Sequence, residues 1–452
     1  MKNLFNFLLL GTLGVLTFGC GSDDDEDNGI VPNPSTSNVV ELRSNSINGN
    51  RTFDKDSVYL LKEFVYVKAP NKLTIEPGTI IKGEGKGSLI IERGAQIDAR
   101  GTAQNPIVFT SNAAPGQRKT GDWGGVIILG NAPVNLPGTA LIEGGVERPY
   151  GGTKADDNSG FFQYVRIEYG GSVFSTDNEI NGLTMGGVGS GTTIDHVQVS
   201  YCNDDSFEWF GGTVNAKYLI AYKTIDDMFD TDNGYSGKLQ FLVGLSDPQT
   251  SDKSGSNGFE SDNDKDGNPV TPQTSAVFAN VSLYGPRATA STTYSSQFGS
   301  GMHIRRNSAI SVHNSLIAGW PTGLLLDGAS TQANADNGKL KFTNNVIAGN
   351  AAALKVQSGS TYDIEGFVNS NNNTVIADLT NLNVSAAFNL TSKPNFLPGT
   401  GSSLLSGGQT TFATGGVLAG DSFFTSTDYI GAFGTEDWTA GWTNWDPQNT
   451  DY

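Results

Sequence analysis

The sequence has 452 residues, of which 58 are glycine, and only 16% of its residues are charged. Glycine destabilises helix interiors, so this composition argues against an all-helical protein, and a hydrophobic fraction of 37% argues against a disordered one. The 46 acidic residues outnumber the 28 basic ones, and the net charge of −18 counts against nucleic acid as a partner, because phosphate binding needs clustered lysine and arginine.

The N-terminal segment predicts export and a lipid anchor. A lysine precedes an apolar run over residues 4–18, which is too short for a comfortable membrane span and is typical of a signal peptide. Residues 16–20 read LTFGC and resemble a lipobox. We therefore expect a lipoprotein signal peptide over residues 1–19 and lipidation of Cys20. An ordinary signal peptide that happens to contain a cysteine is the alternative.

Residues 20–38 predict an acidic, flexible tether. The sequence GSDDDEDN follows the cysteine and leads into a stretch rich in Pro, Ser and Asn, a composition that cannot bury a core. The acidic block resembles the signal that follows the lipidated cysteine in surface-exposed lipoproteins of the Bacteroidetes. That resemblance implies an outer-membrane protein facing outward, with the lipid anchor as its membrane contact. A charged spacer facing the periplasm is the alternative.

Short β-branched segments recur along residues 39–415. Residues 73–80 are echoed by residues 89–97, at an offset of 16 residues. The later segments share one aligned residue type, at Asn280, Asn314, Asn344 and Asn372. Because each unit buries too little alone, stacking of like on like predicts a β-solenoid with asparagine amides laddering along its axis. One elongated domain then replaces the three domains that the length suggests at roughly 150 residues each.

The run from Leu73 to Thr110 and the later asparagine-containing segments resemble the right-handed parallel β-helix of the pectin-lyase type, over residues 55–410. The resemblance implies an all-β fold made of a single right-handed parallel β-helix over residues 39–415. It is specific for the fold and weak for the activity. No helical periodicity follows the signal peptide.

Residues 416–452 differ from the repeats. They contain Trp438, Trp442 and Trp445 within eight residues. Bare strand edges at the end of a solenoid invite aggregation, so we expect this segment to be a C-terminal aromatic cap. An aromatic glycan-binding patch is the alternative.

Three acidic segments repeat between Asn203 and Asp266, and the first two align at an offset of 22 residues, which is one coil of a β-helix. Stacked coils would form a phenylalanine ladder and an acidic ladder, namely Phe207, Phe229 and Phe259 beside Glu208, Asp230 and Glu260. Asp204 would lie over Asp226, Asp205 over Asp227, and Asp232 next to Asp262.

Stacked carboxylates predict a bound cation. At a strand spacing of ~4.8 Å each pair repels by about 1 kcal/mol in water, and Ca²⁺, which takes about 6–8 oxygen ligands, would neutralise them. The candidate ligands are Asp204, Asp205, Glu208, Asp226, Asp227, Asp230, Asp232, Glu260, Asp262, Asp264 and Asp266. Residues 262–267 also match the first half of a calcium loop, although Gln273 stands where the loop needs its last glutamate. Zinc is disfavoured, because none of the three histidines is spaced as a ligand pair. The alternative is that Asp, Asn and Gly simply populate the coil corners.

Catalysis is suggested only by the resemblance. Polysaccharide lyases of this fold use calcium with a lysine or arginine base, and glycosidases of this fold use paired aspartates. The catalytic candidates are Asp205, Asp227, Lys223 and Arg305. The Gly-His-Gly and Arg-Ile-Lys motifs of those families are absent, which argues against an enzyme.

Aromatic residues border the acidic segments, and Trp209, Tyr222 and Tyr235 are candidate ligand-binding residues. An aromatic stack inside the solenoid is the alternative for them. The sequence as a whole predicts a surface-exposed outer-membrane lipoprotein that acts as a calcium-stabilised glycan-binding or adhesion module, associated with an outer-membrane nutrient transporter. The alternative function is an anchored polysaccharide lyase or glycosidase.

Overall fold

The computed structural model describes residues 38–175 and 178–452, and strands and turns make up most of them. The predicted signal peptide, Cys20 and the tether up to residue 37 lie outside the described residues. No helix in the described part has the length and apolar character needed to cross a lipid bilayer.

The strands, in chain order, are β1 (Asn38–Leu42), β2 (Arg51–Phe53), β3 (Ser57–Leu61), β4 (Phe64–Val67), β5 (Lys72–Ile75), β6 (Ile80–Gly83), β7 (Ser88–Ile91), β8 (Gln96–Arg100), β9 (Ile107–Ser111), β10 (Val126–Leu129), β11 (Ala140–Leu141), β12 (Pro149–Tyr150), β13 (Gly160–Glu168), β14 (Val173–Ser175), β15 (Asn178–Glu179), β16 (Leu183–Gly186), β17 (Thr193–Ser200), β18 (Phe207–Phe210), β19 (Asn215–Tyr222), β20 (Phe229–Asp232), β21 (Lys238–Leu245), β22 (Phe259–Ser261), β23 (Val277–Tyr284), β24 (Ser300–Ile304), β25 (Ser311–His313), β26 (Leu316–Ala318), β27 (Thr322–Leu326), β28 (Lys341–Thr343), β29 (Val346–Ala348), β30 (Ala352–Val356) and β31 (Thr374–Ile376). The helices are α1 (Ala329–Asp336) and α2 (Ile364–Ser370), and short 3₁₀ turns cover Thr380–Leu382, Ser385–Phe388, Ser403–Leu405 and Gly408–Thr411.

Two long parallel sheets carry the fold. Sheet B contains ten strands, which are β4, β7, β10, β16, β18, β20, β22, β24, β27 and β30. Sheet A contains 17 strands and takes the remaining strands except the two small antiparallel hairpins β11–β12 and β14–β15. Each strand pairs in parallel with the equivalent strand of the next coil, so the predicted right-handed parallel β-helix is confirmed.

The coils in the N-terminal part stack at a different interval from the predicted 16 residues. Leu73 of β5 pairs with Ile97 of β8 in sheet A, and Val65 of β4 pairs with Leu89 of β7 in sheet B. Residues 73–80 and 89–97 therefore resemble each other without stacking directly, because successive strands of one coil share the same β-branched pattern.

The interior of the solenoid is a continuous apolar core. Phe207, Phe229 and Phe259 pair in register, and their rings stack at centroid distances of 5.5 and 5.2 Å. All three side chains are fully buried, as the predicted phenylalanine ladder requires. Full burial of one such side chain contributes about 1.5–3 kcal/mol, so repetition of the ladder stabilises every coil it crosses.

The asparagine ladder is present in the last coils. The side-chain amide of Asn344 donates to Asn314 (2.6 Å), and that of Asn372 donates to Asn344 (2.8 Å). Asn280 instead donates to Gly431 O (3.0 Å), a residue far along the chain. The predicted ladder is therefore confirmed for three of its four members, and the fourth binds a segment that comes from outside the stack.

Two short helices interrupt the strands, and the sequence pattern did not predict them. Helix α2 packs against β30, the last strand of sheet B, and Asp363 caps its first turn by accepting the N–H of Gly366 (2.9 Å). Its Ile364 and Val368 side chains are buried in the solenoid core. This helix therefore covers the C-terminal coil, the position for which a cap was expected.

Residues 377–452, here called the tail, correct the prediction of an end cap at 416–452. The last strand of the stack ends at Ile376 rather than at residue 415. The tail runs along the outer face of sheet A towards the N-terminal coils. Its contacts, in order along the tail, are Gly407 with Asn344, Gly431 with Asn314, Thr425 with Gln240, Asn444 with Gln198, and Gln448 with Gly116. The tryptophans therefore cover a lateral face.

Candidate functional site

An outward-facing column of carboxylates runs down the middle of sheet B. In the sequence FEWF of β18, the phenylalanine and tryptophan point inward, so the intervening Glu208 points outward. Glu208 pairs with Asp230, and Asp230 pairs with Glu260, in the register predicted from the 22-residue offset. The acidic side chains are therefore held one strand spacing apart, at ~4.8 Å.

A second column lies at the turn that enters sheet B. The N–H of Asp205 donates to the side chain of Asn181 (3.2 Å), that of Asp227 to Asp205 (2.8 Å), and that of Asn257 to Asp227 (2.5 Å). The N–H of Ser300 continues the pattern by donating to Asn257 (2.8 Å). Each coil thus fixes the next through one side-chain oxygen, and the two aspartates each keep a second oxygen for another partner.

Asn181 and Asn257 are members of this turn column that the sequence interpretation missed. A signal was available: each member stands two residues before the apolar residue that begins a strand of sheet B. Only the aspartates had been singled out, because they carry charge.

The two columns together form three overlapping carboxylate groups, in each of which one oxygen per residue lies within 4.8 Å of the others. The groups are Asp204, Asp205 and Asp226; Asp205, Glu208 and Asp230; and Asp227, Asp230 and Glu260. Asp205 and Asp230 each belong to two groups. The structure therefore brings together seven of the eleven predicted metal ligands.

These groups open into a cleft of about 650 Å³, here called the acidic cleft. Its lining residues are Glu143, Val173, Ser175, Glu179, Asn181, Asn203, Asp204, Asp205, Glu208, Asp226, Asp252, Lys253 and Ser254. Seven of them are carboxylates and one is a lysine. Glu143 and Glu179 come from the insertions that carry the two small hairpins, and sequence reasoning missed them because they lie outside the repeats.

Burial raises the pKa of the carboxyl groups in the columns, and neighbouring carboxylates raise it further. The pKa of Asp226 rises to about 8 and that of Glu260 to about 8. The pKa values of the more deeply placed acids, Asp204, Asp205, Glu208, Asp227 and Asp230, are raised well above the usual range for the same reasons. One carboxylate oxygen, Asp230 Oδ1, is buried and has no hydrogen-bond partner in the described part of the chain.

Basic side chains end the column at its lower coil. Arg305 pairs with Glu260 and donates to Asp262 Oδ1 (2.9 Å), and Arg306 donates to Asp262 Oδ2 (2.6 Å). His303 lies between Glu260 (3.7 Å) and Asp327 (3.1 Å). Arg305 is therefore fully engaged in ion pairs, which contradicts its assignment as a catalytic base, and Asp262 is occupied by arginines.

The calcium-loop prediction for residues 262–267 is wrong in this structure. Asp264 accepts the backbone N–H groups of Asp266 (3.2 Å) and Asn268 (2.7 Å) and so forms an Asx turn. Asp266 is exposed. Asp232 accepts the N–H of Asn233 (2.5 Å). None of these acids belongs to one of the three carboxylate groups, so they are ordinary corner residues.

Lys223 does not reach the acidic cleft. Its ammonium lies 5.3 Å from the ring centroid of Tyr201 and donates to Leu390 O (3.4 Å) in the tail. The strand before it ends on sheet A, so its side chain faces the tail. This position corrects the assignment of Lys223 as a catalytic base beside Asp205 and Asp227.

The three predicted ligand-binding aromatics are buried and cannot contact a ligand. Trp209 and Tyr235 are inside the solenoid, where their rings stack at 5.4 Å. Tyr222 is covered by Trp445 of the tail, with ring centroids 5.0 Å apart. The strand alternation decides this outcome, because residues two apart share a face and Trp209 shares the inward face of Phe207.

The donor set of the acidic cleft is made of oxygen. Ca²⁺ accepts carboxylates in flexible geometry, whereas zinc sites in proteins rely on histidine and cysteine, and neither residue type lines the cleft. Asp230 Oδ1, buried without a partner, needs either a proton or a cation. The residues present therefore fit calcium.

Comparison with known proteins gives one family and one structural likeness. Residues 45–443 match the model of a family described as a pectate-lyase like beta helix domain. The crystal structure of the Dettilon tailspike protein is similar with 9% sequence identity and a TM-score of 0.29. That match covers 68% of this chain and 62% of the tailspike chain, so it spans less than two thirds of the tailspike's length. No curated protein matches the sequence.

The raised pKa values predict that, without metal, the protein loses stability as the pH rises. Asp226 titrates near its usual 3.8 when unfolded and at about 8 when folded, so between these values the folded state holds a proton that the unfolded chain has released. We expect the free energy of unfolding, measured by chemical denaturation in chelator, to fall by more than about 1 kcal/mol between pH 5 and pH 8. Asp226→Asn should flatten this dependence and Asp266→Asn should not. A stability that increases over this range would contradict the arrangement.

Proposed function

Because the chain belongs to the pectate-lyase-like β-helix family, we propose that it is a calcium-dependent carbohydrate-binding module whose ligand site is the acidic cleft. A pectate-lyase-like β-helix fits a glycan-binding or glycan-acting protein. The observation that carries the finer proposal is the set of overlapping carboxylate groups on the cleft floor, which faces one lysine.

Electrostatics supports a resident cation. Two unit charges 4 Å apart interact by about 1 kcal/mol in water and by about 4 kcal/mol near a protein surface, and Asp230 has such neighbours on both sides. Protonation relieves the repulsion only up to the raised pKa values, so near neutral pH a cation is the alternative. Magnesium demands a near-ideal octahedron and keeps its water, whereas calcium accepts the irregular set that stacked strands present.

The position of the carboxylates supports a ligand role for the cation. The acids project outward from sheet B into an open cleft, so a bound calcium would have protein oxygens on one side only. Its other coordination positions would accept hydroxyl or carboxylate oxygens of a sugar chain. The two hairpins and the segment containing Asp252 and Lys253 wall the cleft and would set which glycans enter.

We also place the module on the cell surface. The apolar N-terminal run, Cys20 and the acidic block after it support a lipidated N-terminus in the outer membrane, with residues 20–38 as a tether that holds the β-helix away from the lipid. A module that captures glycans there would supply a nutrient transporter of the same membrane.

A glycosidase is the second candidate, and one observation favours it. Asp226 lies in the cleft beside Asp204 and Asp205, and its pKa of about 8 keeps it protonated at neutral pH, as a general acid requires. A lyase is less well supported, because Lys223 faces the tail and Arg305 is held by Glu260 and Asp262.

Calcium should stabilise the native protein. At 100 times its dissociation constant, a ligand of the native state adds about 2.7 kcal/mol, so we expect calcium to raise the melting temperature of chelator-treated protein by several degrees at pH 8. Asp230→Asn should raise the melting temperature of the metal-free protein, because it removes repulsion, and should reduce the calcium shift by at least half. Asp266→Asn is the matched control. An unchanged calcium shift in Asp230→Asn would contradict the site.

Glycan binding should depend on the metal. We expect acidic polysaccharides such as pectin and alginate to be retained by the immobilised protein with calcium and released by chelator. Asp226→Asn should weaken the affinity at least tenfold, and Asp266→Asn should leave it unchanged. Unsaturated products or new reducing ends in the same mixture would overturn the non-enzymatic proposal and favour the enzyme.

Lipidation should require the first cysteine alone. Cells that express the full chain should incorporate labelled fatty acid into it, and Cys20→Ser should abolish the label and release the protein from the membrane fraction. Cys202→Ser is the control, because Cys202 is fully buried in the core and should not affect labelling. Label that persists in Cys20→Ser would contradict the anchor.

A further inference from the structure

A column of left-handed residues marks the corner in the middle of sheet A. The later coils use asparagine there, and the earlier coils use Tyr164, His196, Tyr218 and Phe241, with φ between 49° and 64°. Asparagine tolerates this conformation, whereas an aromatic residue is strained in it. The four rings stack on one another at centroid distances of 4.3, 4.3 and 5.0 Å. The chain thus keeps a strained aromatic column where asparagine would serve the turn.

The tail leaves a small pocket over this column. Trp438 packs on Phe433 with parallel rings 5.0 Å apart, and its indole N–H donates to Ala432 O (2.9 Å), so its orientation is fixed. Its ring then lies 5.3 Å from that of Tyr218, inclined at 60°. A pocket of about 170 Å³ remains, lined by Tyr218, Phe241, Tyr429, Gly434, Thr435, Glu436 and Trp438. It shares no lining residue with the acidic cleft.

The lining combines aromatic rings with negative charge. Four of the seven residues are aromatic, one is acidic and none is basic. Within the described residues, the hydroxyl groups of Tyr218 and Tyr429 and the carboxylate of Glu436 have no hydrogen-bond partner, although the tyrosines are half-buried. Ring faces and edges that surround a small space beside a carboxylate attract an alkylated ammonium group, which is bulky, positively charged and weakly hydrated.

We propose that this pocket binds a quaternary or methylated ammonium group, held by the rings of Tyr218, Tyr429 and Trp438 and by the charge of Glu436. The volume supports a head group rather than a glycan chain, because sites for larger ligands occupy roughly 300–1,000 Å³. The site is separate from the proposed function, since the tail covers sheet A and the carboxylates of the acidic cleft project from sheet B.

The test compares choline with 3,3-dimethylbutan-1-ol, its uncharged carbon analogue of the same shape, by calorimetric titration of the full-length protein. We expect choline to bind at least tenfold more tightly than the alcohol. Glu436→Gln, an exposed substitution that keeps the shape of the side chain, should reduce choline affinity at least fivefold, and Trp438→Ala should abolish it. Glu365→Gln, at another exposed glutamate, should bind as the unchanged protein does.

Three results would overturn the proposal. Equal affinity for choline and the alcohol would remove the role of charge, and unchanged choline binding in Glu436→Gln would place the cation elsewhere. Binding of methyl glucoside that is lost in Trp438→Ala, with no choline binding, would show a sugar subsite instead. Near-ultraviolet circular dichroism of each variant confirms that the tail remains folded, so a loss of binding is not a loss of structure.

Discussion

The parallel stacking of the coils is the constraint on which everything else in this molecule depends. Each strand pairs with its equivalent in the next coil, so a residue meets its own counterpart at ~4.8 Å above and below. For apolar residues this repetition is favourable, as in the Phe207, Phe229 and Phe259 ladder. For carboxylates it is costly, and the same register that fills the core forces Glu208, Asp230 and Glu260 together. The core and the candidate site are consequences of one hydrogen-bonding pattern.

The sequence allowed the ladders to be predicted because period and register are written in residue spacing. The aligned FEW and FDT segments place phenylalanines inward and acids outward, and the structure has that arrangement. Position within the alternation mattered more than proximity along the chain. Trp209 stands next to the acids in sequence, but it shares the face of Phe207 and is buried. Lys223 was misplaced for a related reason, because it follows a strand of sheet A and not of sheet B.

The parts that could not be predicted lie outside the repeat. Glu143 and Glu179 reach the acidic cleft from insertions of irregular length, and no spacing rule connects them to Asp205. The course of the tail was also hidden, because its contacts join residues hundreds of positions apart, such as Gln198 with Asn444. An aromatic cluster at the end of a solenoid sequence suggested an end cap. Helix α2, which has little helical signal of its own, takes that place instead.

The turn column that begins at Asn181 has a consequence for how such a protein can change. Asparagine and aspartate present the same accepting oxygen to the backbone N–H of the next coil, and this column uses both, at Asn181 and Asn257 as well as Asp205 and Asp227. The backbone therefore does not distinguish the amide from the acid. A single nucleotide change between the two residues can add or remove a charge at the rim of the cleft without altering the scaffold, so ligand preference can drift among related chains while the architecture is inherited intact.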